Sequence, residues 1–324
     1  MADGIDLTNV PKFADLSTVD GTERCSWDVF GRDDEVGTVN FIGPEQVRAA
    51  AALVTTGDMV GLGLPLTEPA PSLSTTRTPY QHHFRIGSHG RDDWLDGFYP
   101  QFSSQWDGLR HVRYRKFGFF GGRQDGDIES SDVIGIHNWA RRGMLSRGVL
   151  LDVKGYFEAN GRELVPDERH GITPAELDSV AEWEGVSLRP GDIVVVRTGW
   201  VEWYMSLPPE RRAELVGTIG AAERPLACPG LDSGQGTAAW LWDNRCAAVA
   251  ADNFALEALP VFRDLGFLHY RLLPLLGMPI GELWWLKDVA AHCARRQTYE
   301  FLLTSGVMDI PGGAGSPINA HAVF

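Results

Sequence analysis

The chain has 324 residues, and 29 Lys+Arg against 43 Asp+Glu leave a net charge of −14. With 44% hydrophobic and 22% charged residues it is of ordinary globular composition and long enough for a full core. The negative balance counts against nucleic acid and anionic membrane surfaces as partners, since both are bound through clustered Lys and Arg. Taking the elements in chain order, Gly43-Pro44-Glu45-Gln46 predicts a helix start, with Pro in the first turn where its missing N–H costs nothing. Val47, Ala50, Ala51 and Val54 then share a face, and Gly57 ends the helix. Residues 59–66 read as a strand, and 68–78 (EPAPSLSTTRT) as a long surface loop. Residues 148–153 read as a buried strand. Thr173-Pro174-Ala175-Glu176 is a capping box that opens a helix with Leu177, Val180 and Ala181 inward and Gly185 at its end. Pro190-Gly191-Asp192 turns into the apolar strand Ile193-Val194-Val195-Val196, and residues 247–251 form another short buried strand. Gly281-Glu282 is expected to lead a helix whose inner face is Leu283, Leu286, Val289, Ala290 and Cys293. The glycine-rich tail PGGAGSP predicts a loop lying close on the body. Helices alternating with buried strands give an α/β or α+β class with a mixed sheet.

Much common chemistry is absent. No G-x-S-x-G, H-E-x-x-H, G-x-G-x-x-G or G-x-x-x-x-G-K-[ST] motif occurs. Cys25, Cys228, Cys246 and Cys293 are scattered without a C-x-x-C pair, which disfavours a disulfide framework or a thiolate zinc site. No run approaches the roughly 20 apolar residues of a membrane helix, and the opening MADGIDLTNVPKFADL has no signal-peptide core. The expected compartment is the cytoplasm.

The densest polar constellation is Gln101-Phe102-Ser103-Ser104-Gln105-Trp106-Asp107-Gly108-Leu109-Arg110-His111. In an extended segment Gln101, Gln105, Asp107 and His111 share parity and point one way. In a helix Asp107 and His111 still share a face, but Gln105 turns away. The bland reading is a polar rim on a core strand, with Asp107 orienting His111.

This segment resembles the motif His-x-Gly-Thr-His-x-Asp-x-x-x-His of the cyclase family that includes kynurenine formamidase and isatin hydrolase. Asp107 and His111 keep the Asp and the last His; Gln101 and Gln105 stand at the first two His positions, and Ser103-Ser104 at Gly-Thr. The resemblance continues in collinear order through DDEVGTVNFIGPEQ, RRGMLSRGVLLDV, RPGDIVVVRTGW, VAADNFALEALP, LLGMPIGE and PGGAGSPINAHAVF. It implies a swivelling β/β/α domain: a compact mixed-sheet barrel with surrounding helices, spanning 1–324 as one domain with an N-terminal extension of about 1–25. It also implies a homodimer or homotetramer and a metal site completed by a later His and Glu, here His269 and Glu282.

Two amides in place of imidazoles leave weak, hard ligands. The expectation is one divalent ion, Mn²⁺ or Zn²⁺, on Asp107, His269 and Glu282, with Gln105 assisting, or no ion at all. Without an ion, one of Asp107 and Glu282 would have its pKa raised or pair with His111 or His269 as imidazolium. Catalytic candidates are His111, as general base or proton shuttle, with Asp107, Gln105 and Glu282. Trp27, Trp106, Gln101 and Phe102 are candidates for binding a small-molecule substrate, with core packing the alternative for each Trp. The family's chemistry implies a hydrolase acting on an amide, formamide, cyclic amide or lactone beside an aromatic or conjugated group. The rivals are a cyclase or lyase of a secondary-metabolite pathway, and a non-catalytic binding protein. His82, His83 and His89 form the local His cluster, of which at most one adjacent ring serves a given site. His137, His170, His292 and His321 read as structural or solvated. Tyr114 is a candidate oxyanion donor and Asp252 a pocket-edge residue, while Arg110 and Arg113 balance the acidic surface.

Overall fold

The computed structural model describes residues 7–324. Nine strands form one mixed sheet: β1 Met59–Gly61, β2 Gln105–Asp107, β3 Met144–Asp152, β4 Ile193–Arg197, β5 Ala248–Ala251, β6 Ile280–Glu282, β7 Glu300–Ser305, β8 Gly315–Pro317 and β9 Ala320–Val323. Their spatial order is β8-β2-β6-β5-β4-β3-β7-β9-β1. The middle strands β6, β5, β4 and β3 run parallel to one another. The outer pairings are antiparallel. Ile193 to Val196 and Ala248 to Ala251 are buried at every position, as expected of parallel strands covered on both faces.

The chain's end shows how strongly the sheet curls. β8 is first in the order and β9 eighth, yet only Ile318 and Asn319 separate them in sequence. Laid flat, the strands between them would hold them roughly 34 Å apart at about 4.8 Å per gap. The link spans about 11 Å at most. The sheet therefore bends until its two ends meet. Leu62, just past β1, donates its N–H to Ala320 O at 3.0 Å, and Leu64 donates to Ser104 Oγ, just before β2, at 2.8 Å.

Helices Pro44–Ala51, Pro174–Glu184, Gln235–Asp243 and Lys287–Arg296 lie around this sheet. The capping box at Thr173 is present: Thr173 Oγ1 accepts from Glu176 N–H and Glu176 Oε2 accepts from Thr173 N–H. That helix stops at Gly185, whose φ of +69° is the left-handed conformation glycine adopts without strain. The first helix is shorter than its apolar spacing suggests, ending at Ala51 with Val54 exposed. The strand expected over 59–66 is regular only to Gly61.

One expectation is overturned. Gly281-Glu282 does not lead a helix; it lies in strand β6, and the helix begins at Lys287. Position 281 of this strand is a glycine because there is no room beside it for a side chain. A Cβ there would come within 2.5 Å of Ala250 Cβ and 2.7 Å of Trp284 Nε1. Val289, Ala290 and Cys293 still make the helix's buried face.

Residues from Val10 onward join the main core, which runs to Phe324. Trp242 Nε1 donates to Pro11 O at 3.0 Å, and Arg245 donates to Val10 O at 2.6 Å, so much of the expected N-terminal extension is sewn to the body. The four cysteines are buried and unpaired by disulfides. Among the described residues no helix is long and apolar enough to cross a membrane.

Gly281→Ala should destabilise the fold by about 2–3 kcal/mol through overpacking against Ala250 and Trp284, read as a lowered midpoint in denaturant unfolding.

Candidate active site

β2 pairs with β6 so that Gln105 lies opposite Glu282 and Asp107 opposite Ile280. Alternation along β2 places Gln105 and Asp107 on the face that Glu282 shares and sends Trp106 to the other. The residues before β2 are anchored: Ser103 Oγ donates to Pro65 O at 3.0 Å and Ser104 Oγ to Leu283 O at 2.5 Å. Gln101 and His111 arrive on turns rather than on the strand. Gln101 lies on the backbone of Gly315, where a Cβ would fall 2.7 Å from its Cγ. After β2, Gly108 N–H donates to Ala314 O at 2.8 Å, and His111 N–H closes a turn on Gly108 O at 2.9 Å. His269 comes from the short helix Leu268–Tyr270, which runs into a π-helical turn, Arg271–Leu276.

These elements bring the candidates together. Gln105 Nε2 donates to Glu282 Oε2 at 2.8 Å and to Asp107 Oδ1 at 3.2 Å. Gln101 Nε2 lies 2.6 Å from Asp107 Oδ1 and 2.8 Å from His111 Nδ1. His269 Nε2 is 3.0 Å from Glu282 Oε1 and 3.7 Å from Asp107 Oδ2. His111 Nε2 is 3.6 Å from Asp107 Oδ2. Asp107, His269 and Glu282 each present a ligand atom, all within 4.8 Å of one another. Asp107, Gln105, His269 and Glu282 are buried, whereas His111 and Gln101 are half-buried.

Charge follows from these contacts. Burial opposes ionisation of Asp107, but His111, His269 and the Gln101 amide outweigh it and hold the carboxyl at about 2. Burial and then the neighbouring Asp107 carboxylate push Glu282 up to about 7. Burial disfavours charge on His269 too, yet Glu257, Asp107 and Glu282 together hold it well above the usual histidine range. Burial lowers His111, against the pull of Asp107. Because the Asp107 carboxylate only accepts, the Gln101 atom beside it is the NH₂ group. With that group's other hydrogen on His111 Nδ1, the neutral His111 ring carries its proton on Nε2, which makes it a donor there and not the general base expected from the sequence.

Glu257 is a member of this group that the sequence spacing did not reveal. Its Oε2 lies 2.9 Å from His269 Nδ1, and its Oε1 accepts from Leu268 N–H at 3.1 Å. It fixes the ring so that Nε2 faces Asp107 and Glu282. The segment VAADNFALEALP contains it, but nothing in the sequence links it to a His twelve residues on.

Other candidates lie elsewhere. Trp106 is fully buried on the far face, edge-on to Trp284 and bonded to Ser305 Oγ at 2.9 Å, so it packs the core instead of meeting substrate. Trp27 donates to Pro274 O at 2.7 Å, with its ring against Gly122. Phe102 is buried beside the motif turn. Tyr114 OH donates to Asp20 Oδ2 at 3.2 Å. Asp252 accepts from Thr198 and Gly199 N–H groups, each at 2.7 Å, and thereby orders the loop before the helix Trp200–Ser206. His82 and His83 lie on an exposed hairpin, Gln81–Ile86 with Arg91–Asp96, against Asp93 and Asp96, and His89 is in its turn. His137 accepts from Gly312 N–H, His170 meets Glu176, His292 packs tilted against Phe324 and His321 is exposed on β9. Arg110 donates to loop carbonyls and Arg113 pairs with Asp125.

The Cyclase family model matches residues 60–258. A crystal structure described as a novel cyclase aligns with a TM-score of 0.81 at 34% identity, covering 93% of this chain and 99% of that one. An isatin hydrolase bound to the product analogue thioisatinate aligns with a TM-score of 0.58 at 14% identity, covering 87% of this chain and 99% of that one. Isatin hydrolase A from Labrenzia aggregata, bound to benzyl benzoate, gives 0.57 and 14%, covering 84% and 94%. The last two comparisons show a shared fold. No curated protein matches.

Glu257→Gln should destabilise the ion-free protein by about 3 kcal/mol, because it strips a charged partner from a buried imidazolium. His269 is raised in the folded state, so its contribution is fully present below its unfolded value near 6.5 and fades as pH rises through the folded value. The loss in Glu257→Gln should therefore be largest at pH 6 and shrink at alkaline pH, measured by urea unfolding across that range.

Proposed function

The chain belongs to the cyclase family, and on that premise we propose that it hydrolyses a small amide, formamide, cyclic amide or lactone, with one divalent ion held by Asp107, His269 and Glu282. The observation that carries this reading is the convergence of those three side chains around a buried Asp107 Oδ2 that has no hydrogen-bond partner among the described residues. Gln105 Oε1 is likewise buried and unpartnered. Two carboxylates, an imidazole and a nearby amide oxygen fit a hard or borderline divalent cation, Mn²⁺ above Zn²⁺. Such an ion, when bound, lowers the pKa of water and polarises a carbonyl oxygen.

The protein's own groups do the rest. Gln105 ties the Asp107 and Glu282 carboxylates together, and Glu257 aims His269 at them. Gln101 holds His111 with Nε2–H free to donate to an oxygen that gains negative charge as water adds to the carbonyl. The C–N or C–O bond then breaks, and the proton lost by water ends on the departing nitrogen or oxygen.

Protein purified without chelator should carry about one Mn or Zn per chain, as the single donor set implies, and should lose it in Asp107→Ala and His269→Ala. Absence of metal after dialysis against Mn²⁺ and Zn²⁺ would sink the metal assignment. His111→Ala should keep its metal while kcat on the best formanilide or lactone falls about 10²-fold, the usual cost of one oxyanion donor; unchanged turnover would remove His111 from the mechanism. Solvent ¹⁸O should enter the product. Its exclusion would favour the cyclase or lyase reading.

A further inference from the structure

Arg77 lies in the 68–78 loop, which the sequence marks only as surface, but the fold brings this residue to the site. It is half-buried, and its guanidinium donates to Gln101 O at 2.6 Å. Gln101 is the residue whose amide touches both Asp107 and His111. The positive charge of Arg77 also reaches His111 and Glu282, a minor influence on each beside burial and Asp107, and it favours the unprotonated form.

The buried Arg147, Arg197 and Arg271 are matched by carboxylates, Asp192 and Glu300, Asp152 and Glu202, and Glu23, whereas the half-buried Arg24, Arg110, Arg123, Arg169 and Arg212 donate, like Arg77, to backbone carbonyls. What sets Arg77 apart is that its carbonyl belongs to a residue of the site. Arg77 has no carboxylate partner among the described residues, and the Gln101 carbonyl takes one of its five N–H donors. A guanidinium taken partly out of water with its planar fork uncommitted is suited to a two-oxygen anion. The carboxylates of Asp107, Glu257 and Glu282 offset the positive charge of His269 or of a bound ion, so a cation at the site's edge adds to the attraction for an anionic substrate.

We propose that Arg77 is the anion-binding residue of this site, and that the substrate carries a carboxylate close to the carbonyl that is hydrolysed. This rests on the hydrolase reading for the word substrate, but not for the binding itself. The carboxylate sits on Arg77 at one edge while the carbonyl faces His111 and the Asp107–Glu282 pair. Arg77 thus selects among the small amides and lactones the fold admits, favouring acids over their neutral counterparts.

The test uses two ligands of nearly the same shape, benzoate and benzamide, titrated calorimetrically into the full-length protein and into Arg77→Gln and Arg77→Lys. Melting temperature and metal content report whether the variants are folded and loaded. Wild type should bind benzoate about tenfold tighter than benzamide, the scale of one charge-assisted pair. Arg77→Gln should bind the two alike, with its benzamide affinity unchanged. Arg77→Lys should fall between, keeping the charge but not the fork. Equal or undetectable binding of the two by wild type, or a benzoate preference that survives in Arg77→Gln, overturns the assignment. The second result would place benzoate on the metal or elsewhere. Turnover is read separately with 2-formamidobenzoate and its methyl ester. A benzoate preference lost in Arg77→Gln, with neither formanilide cleaved, upholds Arg77 and counts against the hydrolase reading. Cleavage of both without any benzoate preference does the reverse.

Discussion

The site is governed by one electrostatic constraint: three carboxylates, from Asp107, Glu257 and Glu282, are buried within reach of a single imidazole, His269. Like charges this close in a dry environment cannot all ionise without a cation among them. The surroundings answer that need with donors. Leu268 N–H serves Glu257, and the Gln101 and Gln105 amides serve Asp107 and Glu282. Even so, Glu282 is pushed up to about 7. A divalent ion at the same point would supply the missing positive charge more fully than one imidazolium does.

The two glutamines at the motif's first and second His positions take on physical meaning in this setting. A neutral imidazole would offer a lone pair to a cation. Here each amide instead turns its NH₂ group towards carboxylate oxygens, Gln101 to Asp107 and Gln105 to both Asp107 and Glu282. The amide hydrogens therefore stand where positive charge is wanted, and the set of strong ligands contracts to Asp107, His269 and Glu282. Gln101 has a second task, because the same NH₂ group sets the tautomer of His111.

Local signals in the sequence proved readable where local physics decides the outcome. The Thr173 capping box and the apolar runs of β4 and β5 form as their residues require. Parity correctly placed Gln105 beside Asp107, because both lie on a true strand; Gln101 and His111 reach the same point through turns, which parity does not describe. The helix expected from Gly281 failed because the spacing of Val289, Ala290 and Cys293 belongs to a helix starting later, and the reason for Gly281 lies across the sheet at Ala250. Trp106 takes the core role its sequence context leaves open: a Trp beside polar residues looks like a stacking platform until alternation assigns it to the core. The resemblance supplied His269 and Glu282. Glu257 and Arg77 stayed hidden, since each is defined by a partner distant in the chain, His269 and Gln101.

The tail explains how so polar a strand lies so deep. In spatial order β2 is next to last, and without β8 it would be an edge with unpaired N–H and C=O groups beside buried carboxylates. Residues 315–317 remove that edge by pairing along all of β2. Ala314 O takes the Gly108 N–H that follows, and Gly315 provides the bare backbone on which Gln101 rests. Two residues later the same chain is in β9, at the far end of the sheet, next to β1. A segment short enough to look like a loose end thus closes the sheet and holds the motif turn in place. It also draws the two ends of the sheet together, so that residues 63–65 come down onto Ser103 and Ser104. The loop that carries Arg77 leaves directly from this seam, which is how a residue far from the motif's ligands in sequence comes to lie beside them.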